Sequence, residues 1–333
     1  MEILTPARAA NFEFQRQLDV PNEGTVTFPL VFTPEAGSQL STIEEAVAWV
    51  ETNQTKLLEL AKVHGAILLR DFPISTAEHF DAIGKAVGLA EFPYIGGAAP
   101  RTVITGSVFT ANESPADQLI PYHHELAQSK NHPLHIMFYC DKPADKGGET
   151  PICLSNLIYE QISREFPDFI EEIGKKGVKY IRVLPVEDDA TSAIGRGWQS
   201  TFMTTDAKEA ERQAEELGMT LEWLPDGSLK TTSPILPATK LDERTGKVSW
   251  FNSIVAAFTG WQDSRNDATK AVVYGDGSPL DPVILRRCLD IMNELCCSFE
   301  WKKGDVILID NVVTMHSRNS FEGSRRIYAS LWK

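Results

Sequence analysis

Apolar residues in the first quarter of the chain recur with the spacing of amphipathic helices. One run begins at Ser41 or Thr42, repeats apolar residues every three to four positions, and ends near Gly65. A second run follows Ser75 and Glu78, which have the spacing of a capping box that closes the first turn of a helix. The pattern therefore predicts two helices here, joined by a short apolar strand.

Short β-rich runs fill the centre and the C-terminal part of the chain, and glycine-containing turns separate them. The predicted strands are residues 66–70, 136–139, 178–183, 248–251, 306–309 and 327–332. Three more helices are predicted at about 155–174, 206–217 and 282–296. Strands and helices do not alternate regularly and no GxGxxG motif occurs, so a doubly wound parallel sheet is not expected. The pattern favours a mainly β protein with flanking helices, built on a small barrel or jelly roll.

Two stretches carry few regular patterns and are rich in turn-forming residues, namely residues 91–122 and 185–200. Long loops in compact enzymes often form lids or the walls of a substrate site, although plain surface connections have the same composition. No linker or compositional break divides the chain. A single domain is therefore predicted, with residues 1–40 as an N-terminal extension and residues 41–333 as a catalytic jelly roll with helical insertions.

The charge balance of the 333-residue chain argues against a nucleic-acid-binding protein. Acidic residues outnumber basic ones by 46 to 32, and no basic stripe is present. The five cysteines lack CxxC spacing, and their odd number does not fit a disulfide framework. No apolar run has the length of a membrane span, and the N-terminus lacks the apolar core of a signal peptide. A cytoplasmic protein is expected, with a small molecule as its partner.

The segment Pro121–Glu125 carries the densest chemical signal. In an extended chain His123 and Glu125 project from the same face, while His124 points to the opposite side. An imidazole nitrogen and a carboxylate oxygen two residues apart form two corners of a metal site that suits iron(II). Taken alone, the pair is also typical of a surface hydrogen bond, so a third ligand is needed.

His316 is the best candidate for that ligand. The histidines His64 and His79 lie in or beside the predicted N-terminal helices, and His132 and His135 follow the motif directly. His316 instead stands where a predicted strand leaves the core, which places it at the mouth of a barrel. Two histidines and one carboxylate leave three coordination positions open for a chelating co-substrate and dioxygen.

A pair of arginines follows His316, at the start of the last predicted strand. Alternation separates a face with Arg325 and Ile327 from a more polar face with Arg326 and Tyr328. The first face is expected to pack against a neighbouring layer, so the second is expected to line a polar cavity. Arg326 would then grip a carboxylate through its planar guanidinium. The alternative is an exposed arginine pair.

These residues together resemble the taurine dioxygenase-like (TauD/TfdA) family of iron(II)- and 2-oxoglutarate-dependent oxygenases. The resemblance rests on His123-x-Glu125, His316 and Arg326, and on Gly147-Gly148-Glu149-Thr150. It extends from about residue 64 to the C-terminus and is closest to plant clavaminate synthase-like proteins. Further matching stretches are Gly96–Arg101, Val108–Glu113, Ile194–Trp198 and Trp250–Ser253.

The resemblance implies a double-stranded β-helix core, a jelly-roll relative. It implies that His123, Glu125 and His316 bind iron(II), and that Thr150 and Arg326 hold the distal carboxylate of 2-oxoglutarate. Dioxygen would be the second co-substrate. A small organic substrate would be oxidised, most often hydroxylated, while 2-oxoglutarate is converted to succinate and carbon dioxide. Desaturation, cyclisation and epoxidation are alternative outcomes of the same chemistry.

Two departures from the family pattern narrow the expected chemistry. Many members carry Asp at the carboxylate position, whereas this chain has Glu125. Related halogenases lack the metal carboxylate, so Glu125 favours oxygenation over halogenation. Taurine dioxygenase has an arginine four residues after its co-substrate arginine. Counted from Arg326, this chain has Ser330 at that position, so taurine or a similar sulfonate is not expected.

The sequence does not name the substrate. Candidate wall residues are Arg101, Asn112, Arg196, Trp198 and Asn252, although each could equally fix a loop. A buried arginine among them would indicate an anionic or amino-acid substrate. Two other classes stay open: a zinc hydrolase or cupin-type isomerase with the same ligands, and a metal-binding protein without catalysis.

Overall fold

The computed structural model describes residues 3–21, 23–94, 101–111 and 114–333. Asn112 and most of the stretch Gly96–Arg101 lie outside the described residues. The helices are α1 (Ile43–His64), α2 (Ala77–Ala86), α3 (Ser155–Glu165), α4 (Pro167–Lys176), α5 (Trp198–Phe202), α6 (Ala207–Glu216), α7 (Ile254–Gly260) and α8 (Pro282–Leu295), with a 3-10 turn at Ala268–Lys270. Within the described ranges, no helix has both the length and the apolar character needed to cross a bilayer.

The strands are mostly short and run through the whole chain. They are β1 (Ile3–Leu4), β2 (Ala7–Ala10), β3 (Arg16–Val20), β4 (Gly24–Phe28), β5 (Leu30–Pro34), β6 (Ala66–Leu69), β7 (Val103–Thr105), β8 (Val108–Thr110), β9 (Ile120–His123), β10 (His135–Lys142), β11 (Lys146–Gly147), β12 (Ile152–Leu154), β13 (Val178–Leu184), β14 (Thr220–Trp223), β15 (Leu229–Thr232), β16 (Lys240–Asp242), β17 (Lys247–Ser249), β18 (Val272–Tyr274), β19 (Val306–Asp310), β20 (Thr314–Arg318), β21 (Phe321–Glu322) and β22 (Arg326–Trp332).

The first predicted helix forms as expected. Thr42 caps α1: its side chain accepts a hydrogen bond from the backbone of Glu45, and the Glu45 carboxylate accepts one from the backbone of Thr42. Gly65 ends the helix with φ of 71°, and a Cβ atom there would lie 2.4 Å from the side chain of Leu154. Only glycine therefore fits this close turn into β6.

Two predicted helices differ in detail from the structure. The cap of α2 is Thr76, one residue after the predicted Ser75, and its hydroxyl accepts from the backbone N–H of His79 at 3.2 Å. The helix predicted over residues 155–174 is two helices, because Pro167 cannot continue the hydrogen-bond ladder of α3 and instead begins α4.

The largest sheet has the strand order β1-β2-β5-β6-β19-β10-β22-β8-β7, and only the pair β5–β6 is parallel. Strands β2 and β5 extend this sheet beyond β6, whereas β3 and β4 pair with each other in a separate two-stranded sheet. Residues before position 41 therefore contribute strands to the large sheet, and the predicted division at about residue 40 stays a prediction.

A second sheet of three strands, in the order β12-β20-β9, faces the inner strands of the large sheet. Apolar side chains from both sheets fill the space between them, including Phe138, Ile152, Ile307, Ile327 and Leu331. Helices α1 and α2 cover the outer face of the large sheet. Helices α3, α4, α7 and α8 pack behind the small one. This is the predicted jelly-roll core with flanking helices.

A further cluster of apolar side chains lies outside these layers. Strands β14, β15 and β13 form one wall, and α5 and α6 pack on them through Trp198, Phe202, Ala210 and Ala214. The loop predicted over residues 185–200 leads into α5. We call the segment from residue 185 to the end of α6 the helical insertion.

Candidate active site

Two histidines from neighbouring strands meet at the open end of the small sheet. His123 ends β9, and the sheet register places it directly opposite His316 of β20. Their ring centroids lie 4.3 Å apart. Because Met315 packs into the cluster behind the sheet, the strand alternation turns His316 towards the space between the sheets, where it meets the ring of Phe138.

Glu125 lies in the turn that follows β9, and Asn311 fixes its backbone. The Asn311 side chain accepts from the Glu125 N–H at 2.8 Å and donates to the Glu125 carbonyl at 3.1 Å. Leu126, the next residue, has a positive φ of 59°. The chain therefore turns sharply here, and the turn directs the Glu125 carboxylate back to the two histidines.

His123, Glu125 and His316 offer three ligand atoms that all lie within 4.8 Å of one another. The Glu125 Oε2 and His316 Nε2 atoms are 3.6 Å apart. His123 Nδ1 lies 2.8 Å from the Pro121 carbonyl, so the protonated Nδ1 donates there and Nε2 keeps its lone pair. Two imidazoles and one carboxylate on one face fit iron(II) with open positions beside it.

His124 points away from this cluster, as the alternation predicts. The side chain is fully buried. Its Nδ1 atom is 2.5 Å from the Asn311 carbonyl, and its Nε2 atom is 2.6 Å from the Ser155 hydroxyl. His124 therefore ties the turn to α3 and to the end of β19.

Arg101 approaches the cluster from the opposite side. Its Nη2 atom donates to both carboxylate oxygens of Glu125, at 3.1 Å each. The guanidinium lies over the rings of Tyr94 and Phe109, with 4.0 and 5.0 Å to the ring centroids. Arg101 was predicted as a substrate wall residue, and it is also the ionic partner of Glu125.

The protonation states suit a divalent cation. Burial, reinforced by the neighbouring His316, lowers the pKa of His123 to about 4. Burial alone would raise the pKa of Glu125, but the charge of Arg101, followed by the hydrogen bond with His316, holds that pKa well below its usual range. His123 is thus neutral and Glu125 ionised near pH 7, which are the forms that bind metal.

A cleft of about 400 Å³ opens on the other side of the histidines. His123, His316, Thr150 and Arg325 all lie in its wall. The Arg325 Nη2 atom donates to the Thr150 hydroxyl at 3.4 Å, and the Trp301 indole N–H donates to the same oxygen at 3.1 Å. Thr150 can therefore donate its own hydroxyl proton into the cleft.

The prediction that Arg326 faces this cleft is wrong. Arg326 pairs with Asp141 on the outer surface, and its side chain is 57% exposed. Arg325, directly before β22, is the arginine in the cleft. The polarity of the side chains does not identify the face of β22 that lines the cleft, because this strand is buried on both faces. Ile327 faces the space between the sheets, and helices α1 and α2 cover the side of Tyr328 and Trp332.

Arg325 carries a positive charge in a confined place. Burial, reinforced by the nearby charge of Arg318, lowers the pKa of Arg325 to about 9. Arg318 also lines the cleft, and it donates hydrogen bonds to the carbonyls of Ser114, Pro115 and Gln118. The sequence analysis did not select Arg318, although its position two residues after His316 on the same strand was a usable signal.

The model of the taurine catabolism dioxygenase TauD, TfdA family matches residues 29–332 of this chain. The chain belongs to this family. Its predicted family and reaction class are therefore confirmed, and this TauD-family chain is a non-haem iron(II)- and 2-oxoglutarate-dependent dioxygenase.

Two sequence relatives cover most of the chain. A clavaminate synthase-like protein of Arabidopsis thaliana is 47% identical over 309 residues, which are 92% of this chain and 94% of the relative. The dapdiamide synthesis protein DdaC of Enterobacter agglomerans is 28% identical over 284 residues, 82% of this chain and 83% of that protein.

Solved structures confirm the double-stranded β-helix fold class. PvcB from Pseudomonas aeruginosa superposes with a TM-score of 0.53 at 15% identity, over 97% of this chain and 92% of PvcB. An asparagine oxygenase superposes with a TM-score of 0.51 at 12% identity, over 87% of this chain and 83% of that structure. At these identities the likeness concerns the fold.

A second cavity of this TauD-family protein lies beside His123 and Glu125, away from the Arg325 cleft. Arg101 and Tyr94 line one side of it, and apolar residues line much of the remainder, including Leu119, Ile120, Ile194, Ala256 and Trp261. Arg101 also lines the Arg325 cleft, so it stands between the two spaces.

The other predicted wall residues are distributed differently. Arg196 lies over the ring of Tyr94, 4.7 Å from its centroid, and donates to the Ser200 carbonyl at 2.8 Å, so it supports the cavity wall from behind. Trp198 packs edge-on against Trp223 in the outer cluster. Asn252 is almost fully buried and bonds to the backbone of Ala238. Trp198 and Asn252 are therefore structural, and Asn112 lies outside the described residues.

Proposed function

We propose that His123, Glu125 and His316 bind the iron(II) of this dioxygenase, and that Arg325 with Thr150 holds the distal carboxylate of 2-oxoglutarate. The enzyme then oxidises a small organic substrate in the cavity between Arg101 and Trp261, with hydroxylation as the main outcome. Succinate and carbon dioxide are the co-products. The observation that carries the proposal is the position of the two histidines, which line the wall of a cleft that ends in an arginine and a threonine.

The cleft suits a dicarboxylate that also chelates a metal. A 2-oxo acid binds iron through its keto and adjacent carboxylate oxygens, so its far carboxylate points away from the histidines. In this cleft that carboxylate would be held by the guanidinium of Arg325 and the hydroxyl of Thr150, which lie in hydrogen-bond contact with each other. A planar guanidinium accepts such a group with two parallel hydrogen bonds. Arg325 is held in position by the Gly148 carbonyl, to which its Nε donates at 2.8 Å.

Bound iron(II) would supply the activation of dioxygen, and the protein supplies position and shelter. Phe138, Ile327 and Ala111 form an apolar surface around the cleft and keep bulk water away from it. Arg101 holds the Glu125 carboxylate and presents its charge to both spaces. The substrate carbon is thereby placed beside His123 and Glu125, on the side that the co-substrate does not fill.

A buried arginine in the substrate wall favours an anionic substrate. Arg101 has this position, and Arg196 adds a second positive charge behind Tyr94. The position four residues after Arg325 is Ala329, which is fully buried. A sulfonate-binding arginine at that position is therefore absent here as well, and taurine is not the proposed substrate.

A hydrolytic reaction fits the site less well. A zinc hydrolase needs a general base beside the open metal position. In the part of the two cavities that the structure describes, Glu125 is the only carboxylate, and it is a proposed metal ligand. Desaturation, cyclisation and epoxidation use the same arrangement as hydroxylation and depend on the substrate alone.

The direct test is the slow turnover of 2-oxoglutarate in the absence of a substrate. The purified protein with iron(II), ascorbate and 2-oxoglutarate in air is expected to form succinate, measured by mass spectrometry. The same protein with zinc(II), or the His316→Ala variant with iron(II), is expected to form none. Equal succinate formation by the His316→Ala variant would contradict the proposed metal site. The absence of succinate from the iron-loaded wild type would contradict the whole proposal.

A further inference from the structure

We propose that a third cavity, centred on Arg182, binds a carboxylate at the far end of the primary substrate. The inference rests on the proposed function, because it extends the substrate cavity beyond Trp261. It identifies the substrate class as an extended organic acid, oxidised at one end and anchored by its anionic group at the other.

The Arg182 cavity adjoins the substrate cavity. Gln128 and Trp261 line both spaces, so they form a shared wall. Tyr180 also connects the two, because its hydroxyl accepts a hydrogen bond from the backbone of Ser253, which lines the substrate cavity. A ligand chain that passes Trp261 would therefore lead from the proposed iron site into the Arg182 cavity.

Arg182 occupies a position where the strand pattern calls for an apolar residue. Strand β13 alternates strictly, and its buried face carries Tyr180, Arg182 and Leu184. The arginine is only 7% exposed. Its guanidinium lies over the ring of Trp261 at 5.7 Å from the centroid. A charge in such a place is destabilising unless an anion pairs with it.

No described residue supplies that anion. The Arg182 guanidinium has no hydrogen bond or ion pair within the described part of the chain. The charge of Asp263 acts on Arg182, but the Asp263 carboxylate pairs with Arg265 at 2.7 Å and accepts from Ser192 at 3.0 Å. Burial accordingly lowers the pKa of Arg182 to about 10.

A second unpaired group faces the same cavity. Thr201, on α5, is buried, and its hydroxyl has no hydrogen-bond partner among the described residues. Arg182 and Thr201 come from different elements, a strand and the helical insertion, and both line this space. A guanidinium and a hydroxyl are a donor pair that fits a carboxylate. Leu184, Phe202 and Met219 add apolar surface to the wall, against which the chain of the acid would pack.

The test compares acids with their neutral amides. Butyrate, hexanoate and octanoate, each with its matching amide, are added to protein that is saturated with zinc(II) and 2-oxoglutarate, so that the metal and the Arg325 cleft are filled. Thermal unfolding is then measured. At least one acid is expected to stabilise the wild type more than its amide does. The Arg182→Met variant is expected to lose that difference, with an apparent affinity at least about thirtyfold weaker.

The ligand-free protein gives a second readout. A residue that serves the fold lowers the melting temperature when it is replaced, whereas removal of an unpaired buried charge raises it. Arg182→Met is therefore expected to melt at a higher temperature than the wild type. The control is Lys179→Met, on the opposite face of β13, which removes the same charge and should leave acid binding unchanged.

The inference would be overturned if no acid stabilised the wild type more than its amide, or if Arg182→Met retained the preference for the acid. A lower melting temperature for Arg182→Met would also contradict it. Failure of the proposed function is a separate result, because it appears as the absence of succinate formation by the iron-loaded wild type without any acid.

Discussion

The side chain of Asn311 bonds to both backbone polar groups of Glu125, and it donates to the carbonyl of Pro133 as well. Asn311 lies directly after β19, whereas Glu125 lies in the turn after β9. The side-chain amide of Asn311 therefore connects the large sheet to the small one at Glu125, the proposed metal ligand. The orientation of Glu125 thus depends on a residue that is not one of the three proposed metal ligands.

Replacement of Asn311 by alanine is expected to weaken metal binding. Groups that orient a metal ligand typically contribute about 10- to 100-fold to metal affinity. Asn311→Ala should lower iron(II) affinity by about this factor, measured by competition with a metal-binding dye under anaerobic conditions. The control is Asn293→Ala, an exposed position on α8. Unchanged metal affinity in Asn311→Ala would show that Glu125 is oriented by other contacts.

Arg325 and Arg326 are expected to differ sharply in their effect on 2-oxoglutarate. Loss of one partner of a desolvated charge pair costs about 2–5 kcal/mol, and each 1.4 kcal/mol is about tenfold in affinity. Arg325→Met should therefore weaken 2-oxoglutarate binding by at least about thirtyfold, measured by anaerobic calorimetry with iron(II)-loaded protein. Arg326→Met, which removes the same charge from the outer surface, should bind 2-oxoglutarate like the wild type. The opposite ranking of the two variants would restore the original assignment to Arg326.

His123 and His124 should separate metal binding from stability. His124 is fully buried and contacts the Asn311 carbonyl and the Ser155 hydroxyl. His124→Ala leaves these groups unpaired, at about 1–3 kcal/mol for each, so the free energy of unfolding in urea should fall while one iron per chain is still bound. His123→Ala should instead lose the iron. If His124→Ala lost the iron and His123→Ala kept it, His124 and not His123 would face the metal site.

Gly84 tests the packing of α2 against the sheet, and Gly174 of α4 is the matched control. A Cβ atom on Gly84 would lie 2.5 Å from the ring of Trp332. Gly84→Ala should therefore destabilise the protein by about 1–3 kcal/mol, because the tightly packed ring must move. Gly174 of α4 has no atom within 4 Å of the same position, so Gly174→Ala should stabilise by about 0.5–1 kcal/mol. Equal effects of both changes on unfolding in urea would contradict the described contact.

Within a short segment, the sequence alone could predict which polar side chains share a face. His123 and Glu125 share a face because two-residue spacing is a local property of an extended chain. His316 could be selected because few histidines compete with it at a strand exit. The family resemblance depended on the same residues and led to the correct reaction class.

The choice between Arg325 and Arg326 could not be made in this way. Strand β22 lies between two apolar layers, so both of its faces look buried and polarity does not distinguish inside from outside. The roles of Asn311 and Arg182 were also hidden, because their partners or cavity neighbours come from distant parts of the chain. Strands β2 and β5 are too short to reveal a period.

His123, Glu125 and His316 are proposed to form one centre that binds iron(II) and 2-oxoglutarate together. Chelation of iron(II) by a 2-oxo acid produces a visible charge-transfer band, which anaerobic absorbance spectroscopy detects directly. The band is expected in the wild type and in the His79→Ala control, only when both iron(II) and 2-oxoglutarate are present. It is expected to be absent from His316→Ala at the same concentrations. A band of full intensity in His316→Ala, or none in the wild type, would show that these three residues do not form the iron site.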